Sequence, residues 1–175
     1  EVFNAVVESL NGEGSNVIWM DGCAGSGKTY LYTTLLAYLR SESLLVLPLA
    51  FFGIAALLLP GGRTVHSRFK LPVPLPLHDA VAQVHPATTL AELLRRTDVF
   101  LWDEAPTAPR AAFEAADRCL QDLTGNSAPF GGKTVLLGGD FRQIPPVLRR
   151  VDNDAVREHT LKGWERWQSG AIRKF

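Results

Sequence analysis

Gly22-Cys23-Ala24-Gly25-Ser26-Gly27-Lys28-Thr29 follows the spacing G-x-x-x-x-G-K-T, an arrangement suited to holding a chain of phosphates. Its three glycines let the backbone wrap closely around phosphate oxygens, with no Cβ in the way. A helix that opens at the end of the loop points free N–H groups and the positive end of its dipole at the same anion. Lys28 is placed to reach the β- and γ-phosphates of a nucleotide, and Thr29 to offer its hydroxyl to Mg²⁺. The pattern requires a strand before it and a helix after it. Val17-Ile18-Trp19-Met20 reads as a buried strand, and the run from Tyr30 to Arg40 as a helix.

A second chemical element follows 75 residues beyond Lys28, where Val99-Phe100-Leu101-Trp102 runs into Asp103-Glu104. An apolar strand ending in an acid is the partner of a phosphate loop. Asp103 is positioned to hold Mg²⁺, partly through water, and Glu104 to orient and deprotonate an attacking water. The third element is Thr134-Val135-Leu136-Leu137 leading into Gly138-Gly139-Asp140-Phe141-Arg142-Gln143-Ile144-Pro145-Pro146. In an open α/β sheet this loop shares the carboxyl edge with the other two. The Gln143 amide could hydrogen-bond a γ-phosphate or the water and so distinguish ATP from ADP. The same stretch also reads as a glycine- and proline-built turn with Arg142 and Gln143 facing solvent.

The elements that must position these residues alternate. Apolar residues recur with helical period over Glu1 to Leu10, and Ser41-Glu42-Ser43 ends the helix after the phosphate loop. Leu44-Leu45-Val46-Leu47 reads as a strand, and Phe51 to Leu59 as a helix stopped by Pro60-Gly61-Gly62. Leu71 to Pro76, with every second residue proline, reads as an extended loop. Thr88 to Arg96 predicts a capped helix, and Arg110 to Leu123 another that buries Phe113, Ala116, Leu120 and Leu123. Strands alternating with helices predict a right-handed parallel α/β sandwich.

With 175 residues, 46% apolar and 21% charged, the chain reads as one globular domain. The formal net charge of zero gives no whole-chain support for nucleic-acid binding. Arg63, Arg68 and Lys70 nevertheless cluster with His66, with no acid between them. Two cysteines, Cys23 and Cys119, imply neither a disulfide framework nor a zinc site and fit a reducing compartment. The apolar run Leu44 to Leu59 falls short of the ~20 residues needed to cross a bilayer. Pro48 and Gly53 interrupt it, and a buried strand followed by a buried helix is the expectation. The absence of an initial methionine suggests a fragment or a processed piece.

Taken together, Gly22–Thr29, Trp102-Asp103-Glu104-Ala105-Pro106 and Gly138–Gln143 resemble motifs I, II and III of superfamily-one helicases. The match is closest to the Pif-type family, named for petite integration frequency, which includes helicase parts of rolling-circle transposons. The segments Leu58–Phe69, Phe113-Glu114-Ala115 with Asp117-Arg118, and Pro129–Lys133 carry the same resemblance. It implies the first RecA-like domain of such a helicase: a P-loop three-layer sandwich with a mostly parallel sheet. It implies an ATP- and Mg²⁺-dependent enzyme moving 5′→3′ on single-stranded DNA. Repair, recombination and telomere maintenance follow by the same resemblance, as does a nuclear or mitochondrial location. Lys28, Thr29, Asp103, Glu104 and Gln143 take the roles argued above. The family's DNA-contacting segments map onto Gly53-Ile54-Ala55-Ala56 and Thr64–His66, with Arg63 and Arg68 as candidates for neutralising the DNA backbone.

The chain also departs from the family. Leu49-Ala50-Phe51-Phe52 stands where members carry Thr–Ala–Ser–Ser, so two aromatics replace two hydroxyls. They are expected to pack into the core and weaken DNA binding, or to stack on bases. The adenine-reading glutamine of the family falls upstream of Glu1. No residue can be assigned the arginine finger of a second RecA-like domain, and Arg149 and Arg150 lie on the wrong domain for it. A small-molecule kinase would share the phosphate loop but has no use for Glu104. A non-catalytic nucleotide- or DNA-binding remnant of a truncated helicase or transposon is the other reading.

Overall fold

The computed structural model describes residues 1–23, 25–76, 78–143 and 159–175. Ala24 of the phosphate loop, Ile144-Pro145-Pro146, and Arg149 and Arg150 lie outside the described residues. Helix α1 (Val2–Leu10) leads to strand β1 (Val17–Asp21), followed by α2 (Lys28–Ser41) and β2 (Val46–Ala50). The short helix α3 (Gly53–Leu57), strand β3 (Arg63–Thr64) and helix α4 (Val65–Phe69) come next. Then follow α5 (Thr89–Arg96), β4 (Val99–Asp103), α6 (Arg110–Thr124), β5 (Thr134–Gly139), α7 (Glu165–Gln168) and β6 (Ile172–Lys174). Among the described residues these strands form one sheet in the order β3-β2-β4-β5-β1-β6. Every pairing in it is parallel, so the expectation of a mostly parallel sheet is met by an entirely parallel one.

The period of two along each strand divides the apolar residues between the sheet faces. Val17, Trp19, Phe100, Trp102, Val135 and Leu137 join one core with residues of α4, α5 and α6. Ile18, Met20, Val99, Leu101 and Leu136 join the other with α1 and α2. The result is a three-layer sandwich. Its helices end where the chain dictates. The Thr88 hydroxyl accepts from the Ala91 N–H at 3.2 Å to cap α5. Gly125, at φ 69°, closes α6 in the left-handed conformation.

Three expectations need correction. Strand β2 begins two residues later than expected and includes Pro48, which faces Leu101 of β4. Proline is tolerated there because β3 pairs with β2 only at Leu49 and Ala50, so among the described residues Pro48 has no strand partner on that side. Helix α3 is shorter than the predicted Phe51 to Leu59 and is not buried. Ile54 and Leu57 are 80% and 85% exposed, and only Ala56 of its residues is buried. The phenylalanines divide: Phe51 packs against the core and His66, whereas Phe52 remains 57% exposed. Strands β3 and β6 and helix α4 are additions to the sequence-derived plan. Among the described residues, no helix is long and apolar enough to cross a membrane.

Candidate active site

Parallel pairing brings the carboxyl ends of β1, β4 and β5 side by side, so their three loops meet. The residues of the phosphate loop set its shape. Gly25 and Gly27 have φ of 77° and 89°, which side-chain-bearing residues rarely adopt. A Cβ on Gly22 would strike the stem of Lys28 and the Ser26 hydroxyl. Gly22 is therefore the floor over which Lys28 folds. The Lys28 ammonium donates to the carbonyls of Gly22 at 2.5 Å and Cys23 at 3.3 Å. Helix α2 opens at Lys28 with no side-chain cap on its first N–H groups, leaving them for an anion.

A cavity of about 410 Å³ is lined by Cys23, Gly25, Gly27, Lys28 and Thr29 from the loop, and by Asp103, Glu104 and Gln143 from the other two strand ends. The structure thus gathers the residues expected to act on a nucleotide, Gln143 among them. Leu58 and Leu59 complete the lining and had no assigned part in the site. A larger hollow of about 570 Å³ lies beside Asp117 and Arg166. Those two charges neutralise each other at 2.6 Å, and no phosphate-binding loop faces the hollow.

Charge is concentrated at the strand ends. Glu104 is held at φ 48°, ψ 36°, left-handed backbone that is strained for a residue with a side chain. Burial lifts its pKa above the ordinary carboxylate range, and the charges of Asp103 and Asp140 add to this while Lys28 opposes it. Asp140 is held below the usual range by hydrogen bonds from the Arg142 side chain and backbone N–H, each 2.8 Å long. Arg142 also lies 3.6 Å from Asp21, tying the β5 loop to the end of β1. Phe141 packs at a tilt on Trp19 and edge-on against Trp167, which anchors the turn that presents Gln143.

Mg²⁺ prefers one or two carboxylates together with substrate phosphates over an all-protein cage. The donor set matches that preference. Among the described residues no cluster of three or more His, Cys, Asp or Glu could hold a metal, and the buried Asp103 Oδ1 has no hydrogen-bond partner. Asp103 and the exposed Thr29 hydroxyl are the groups that would hold the ion.

The residues expected to contact DNA gather at the other end of the same edge. Pairing of Leu49 with Arg63 and Ala50 with Thr64 puts β3 beside the Phe51-Phe52 turn. Gly53 opens α3 and is exposed. His66 lies 4.9 Å from Phe51, centroid to centroid, and burial lowers its pKa. Arg68 is half-buried, its Nε without a partner among the described residues, and its pKa is lowered by burial and then by the charge of Arg63. Thr64 differs from the rest: its hydroxyl accepts from Ser67 N–H at 3.2 Å and caps α4.

Comparison with known proteins agrees with this architecture. Residues 1–174 match the family model described as PIF1-like helicase. The chain is 32% identical over 142 residues to the ATP-dependent DNA helicase Pif1 of Psychrobacter sp. (strain PRwf-1), covering 81% of this chain and 21% of that protein. Against the protein of the same name from Bdellovibrio bacteriovorus, identity is 34% over 142 residues, covering 81% of this chain and 31% of the relative. The Pif1 helicase from Bacteroides in complex with ADP-AlF3 and ssDNA superposes with a TM-score of 0.68 at 30% identity, over 90% of this chain and 36% of that one. Pif1 helicase from Candida albicans shares the fold at TM-score 0.79 and 23% identity, over 99% of this chain and 37% of that one.

Proposed function

The chain belongs to the PIF1-like helicase family, and from that premise we propose that it is the first RecA-like domain of an ATP-dependent DNA helicase. The activity proposed for the whole protein is ATP hydrolysis coupled to 5′→3′ movement on single-stranded DNA. The observation that carries this reading is the meeting of Lys28, Thr29, Asp103, Glu104 and Gln143 around one cavity. Lys28 exchanges the loop carbonyls for the β- and γ-phosphates. Glu104 accepts a proton from water as the water oxygen attacks the γ-phosphorus, and the bond to the β–γ bridging oxygen breaks to leave ADP. Mg²⁺ held by Asp103 and Thr29 would neutralise the phosphate charge. Gln143 contacts the γ-phosphate or the water. A second RecA-like domain would supply an arginine finger, worth roughly 10³–10⁵ in rate in other NTPases. The isolated 175 residues are therefore expected to bind Mg²⁺-nucleotide and turn it over slowly.

Gly53, Arg63, Thr64, His66 and Arg68, with exposed Phe52, form the proposed DNA path. Repair, recombination and telomere maintenance are the proposed processes, and the nucleus, then the mitochondrion, the proposed compartment. The experiment that tests the reading is steady-state ATP hydrolysis by this chain with and without single-stranded DNA, beside Lys28→Ala. Slow turnover that DNA raises and Lys28→Ala removes is the expected result. Turnover equal to that of the variant, with nucleotide still bound, would mean a half-site that needs its second domain or a non-catalytic remnant.

A further inference from the structure

We propose that Tyr32 is a positioning residue for the metal-binding carboxylate: its hydroxyl acts as the donor to Asp103 Oδ1 and fixes that carboxylate for Mg²⁺. The inference rests on the nucleotide-site reading above and adds to it a residue outside the three loops. Tyr32 lies on α2, four positions after Lys28, and is 1% exposed. A helix places residues four apart on one face, so the helix that presents Lys28 to the cavity also sends the phenol back into the sheet. Gly138 of β5 makes room for it, since a Cβ there would collide with the Tyr32 hydroxyl and ring.

Among the described residues, two buried polar atoms in this region find no hydrogen-bond partner: the Tyr32 hydroxyl and Asp103 Oδ1. Trp102 of β4 pairs with Leu137 of β5, so Asp103 and Gly138 come next on the two adjacent strands, and the Tyr32 hydroxyl lies against Gly138, beside the end of β4 that carries Asp103. Of the two atoms one is a donor, the other an acceptor, and either left unmade is unfavourable in a protein interior. The ring of Tyr32 belongs to the core that holds Leu35, Leu36, Met20 and Leu101, and Glu104 is the other charge near its hydroxyl. Phenylalanine would satisfy that packing without leaving a hydroxyl to be paired. The oxygen of Tyr32 therefore needs a reason beyond packing, and Asp103 provides it. A donor on one carboxylate oxygen sets the orientation of the other as a ligand, as outer-shell partners do for metal ligands generally.

The test is binding of a fluorescent ADP analogue to this chain across a Mg²⁺ titration, comparing wild type, Tyr32→Phe, Asp103→Asn and the double variant, with a thermal melt of each. Tyr32→Phe is expected to bind the analogue without Mg²⁺ as wild type does, but to need about 10–100-fold more Mg²⁺ for half of the metal-dependent gain. In the double variant, Tyr32→Phe should add little to the loss caused by Asp103→Asn. An unchanged Mg²⁺ dependence in Tyr32→Phe, with wild type clearly Mg²⁺-dependent, would overturn the inference alone. Equal weakening with and without Mg²⁺, together with a lower melting temperature, would assign Tyr32 to packing and overturn it too. Wild type that binds the analogue with no response to Mg²⁺ would instead overturn the nucleotide-site reading, and this inference with it.

Discussion

Glu104 combines a left-handed backbone, partial burial and carboxylate neighbours. Each is a cost to the folded state, so the residue is expected to be retained for chemistry at the expense of stability. Glu104→Gln should melt at a higher temperature than wild type at neutral pH while losing hydrolysis. The sign follows from linkage. Because its pKa is raised on folding, the folded state keeps the proton to higher pH than the unfolded chain does. The stabilisation associated with that proton is complete below the ordinary carboxylate value of 4.5 and is lost as pH rises through the folded value. Melting both proteins between about pH 4 and about pH 8 should therefore show a gap that widens with pH. Much of the site is legible at this scale, because phosphate and water chemistry demand particular residues at particular spacings. Lys28, Thr29, Asp103, Glu104 and Gln143 are readable in that way. The backbone strain at Glu104 is not, nor is Tyr32, which in sequence is simply one more position in an amphipathic helix.

At the scale of elements, α6 is held by a charge that its own apolar period does not reveal. Asp117 accepts from the Phe130 N–H at 2.6 Å, from the Gln121 amide at 2.9 Å and from Arg166 Nε at 2.6 Å. One carboxylate thus joins α6 to the turn before β5 and to α7. Removing it leaves Arg166 and a buried N–H unpaired. Breaking a buried pair costs roughly 3–5 kcal/mol, and the partial exposure of Arg166 reduces the expected loss for Asp117→Ala to about 2 kcal/mol. Urea unfolding should show this, with Asp117→Asn intermediate because it keeps an acceptor for Phe130. The pairing with Arg166 joins positions 49 apart, beyond the reach of any local pattern. Other misses at this scale have the same origin. Strands β3 and β6 are only two and three residues long and take their strand character from the sheet they join. Helix α3 looks buried in sequence because its residues are apolar, yet the fold leaves most of them in solvent.

For the molecule as a whole, the nucleotide cavity and the proposed DNA path occupy one edge, joined by the stretch from Gly53 to Leu59. Gly53 opens α3 on the DNA side, and Leu58 and Leu59 line the cavity. Net charge is zero, so any electrostatic attraction to DNA must come from local cations such as Arg63 and Arg68. Single-stranded DNA binding measured against salt should accordingly show a shallow slope. Arg63→Ala should weaken binding and reduce that slope by about 0.7, one phosphate's share for a single strand. An unchanged slope would exclude Arg63 from backbone neutralisation.

The order of strands also bears on how the chain comes together in time. Among the described strands β1 is the earliest in the sequence, yet its two neighbours, β5 and β6, are the latest of them. Val17 pairs with Val135 on one side and Ile172 on the other. On a ribosome, then, Val17 to Met20 must wait for more than two-thirds of the chain before either flank is covered. Such long closures slow folding and leave apolar strands open to self-association meanwhile. The strand that introduces the phosphate loop is thus the one the sheet takes longest to enclose.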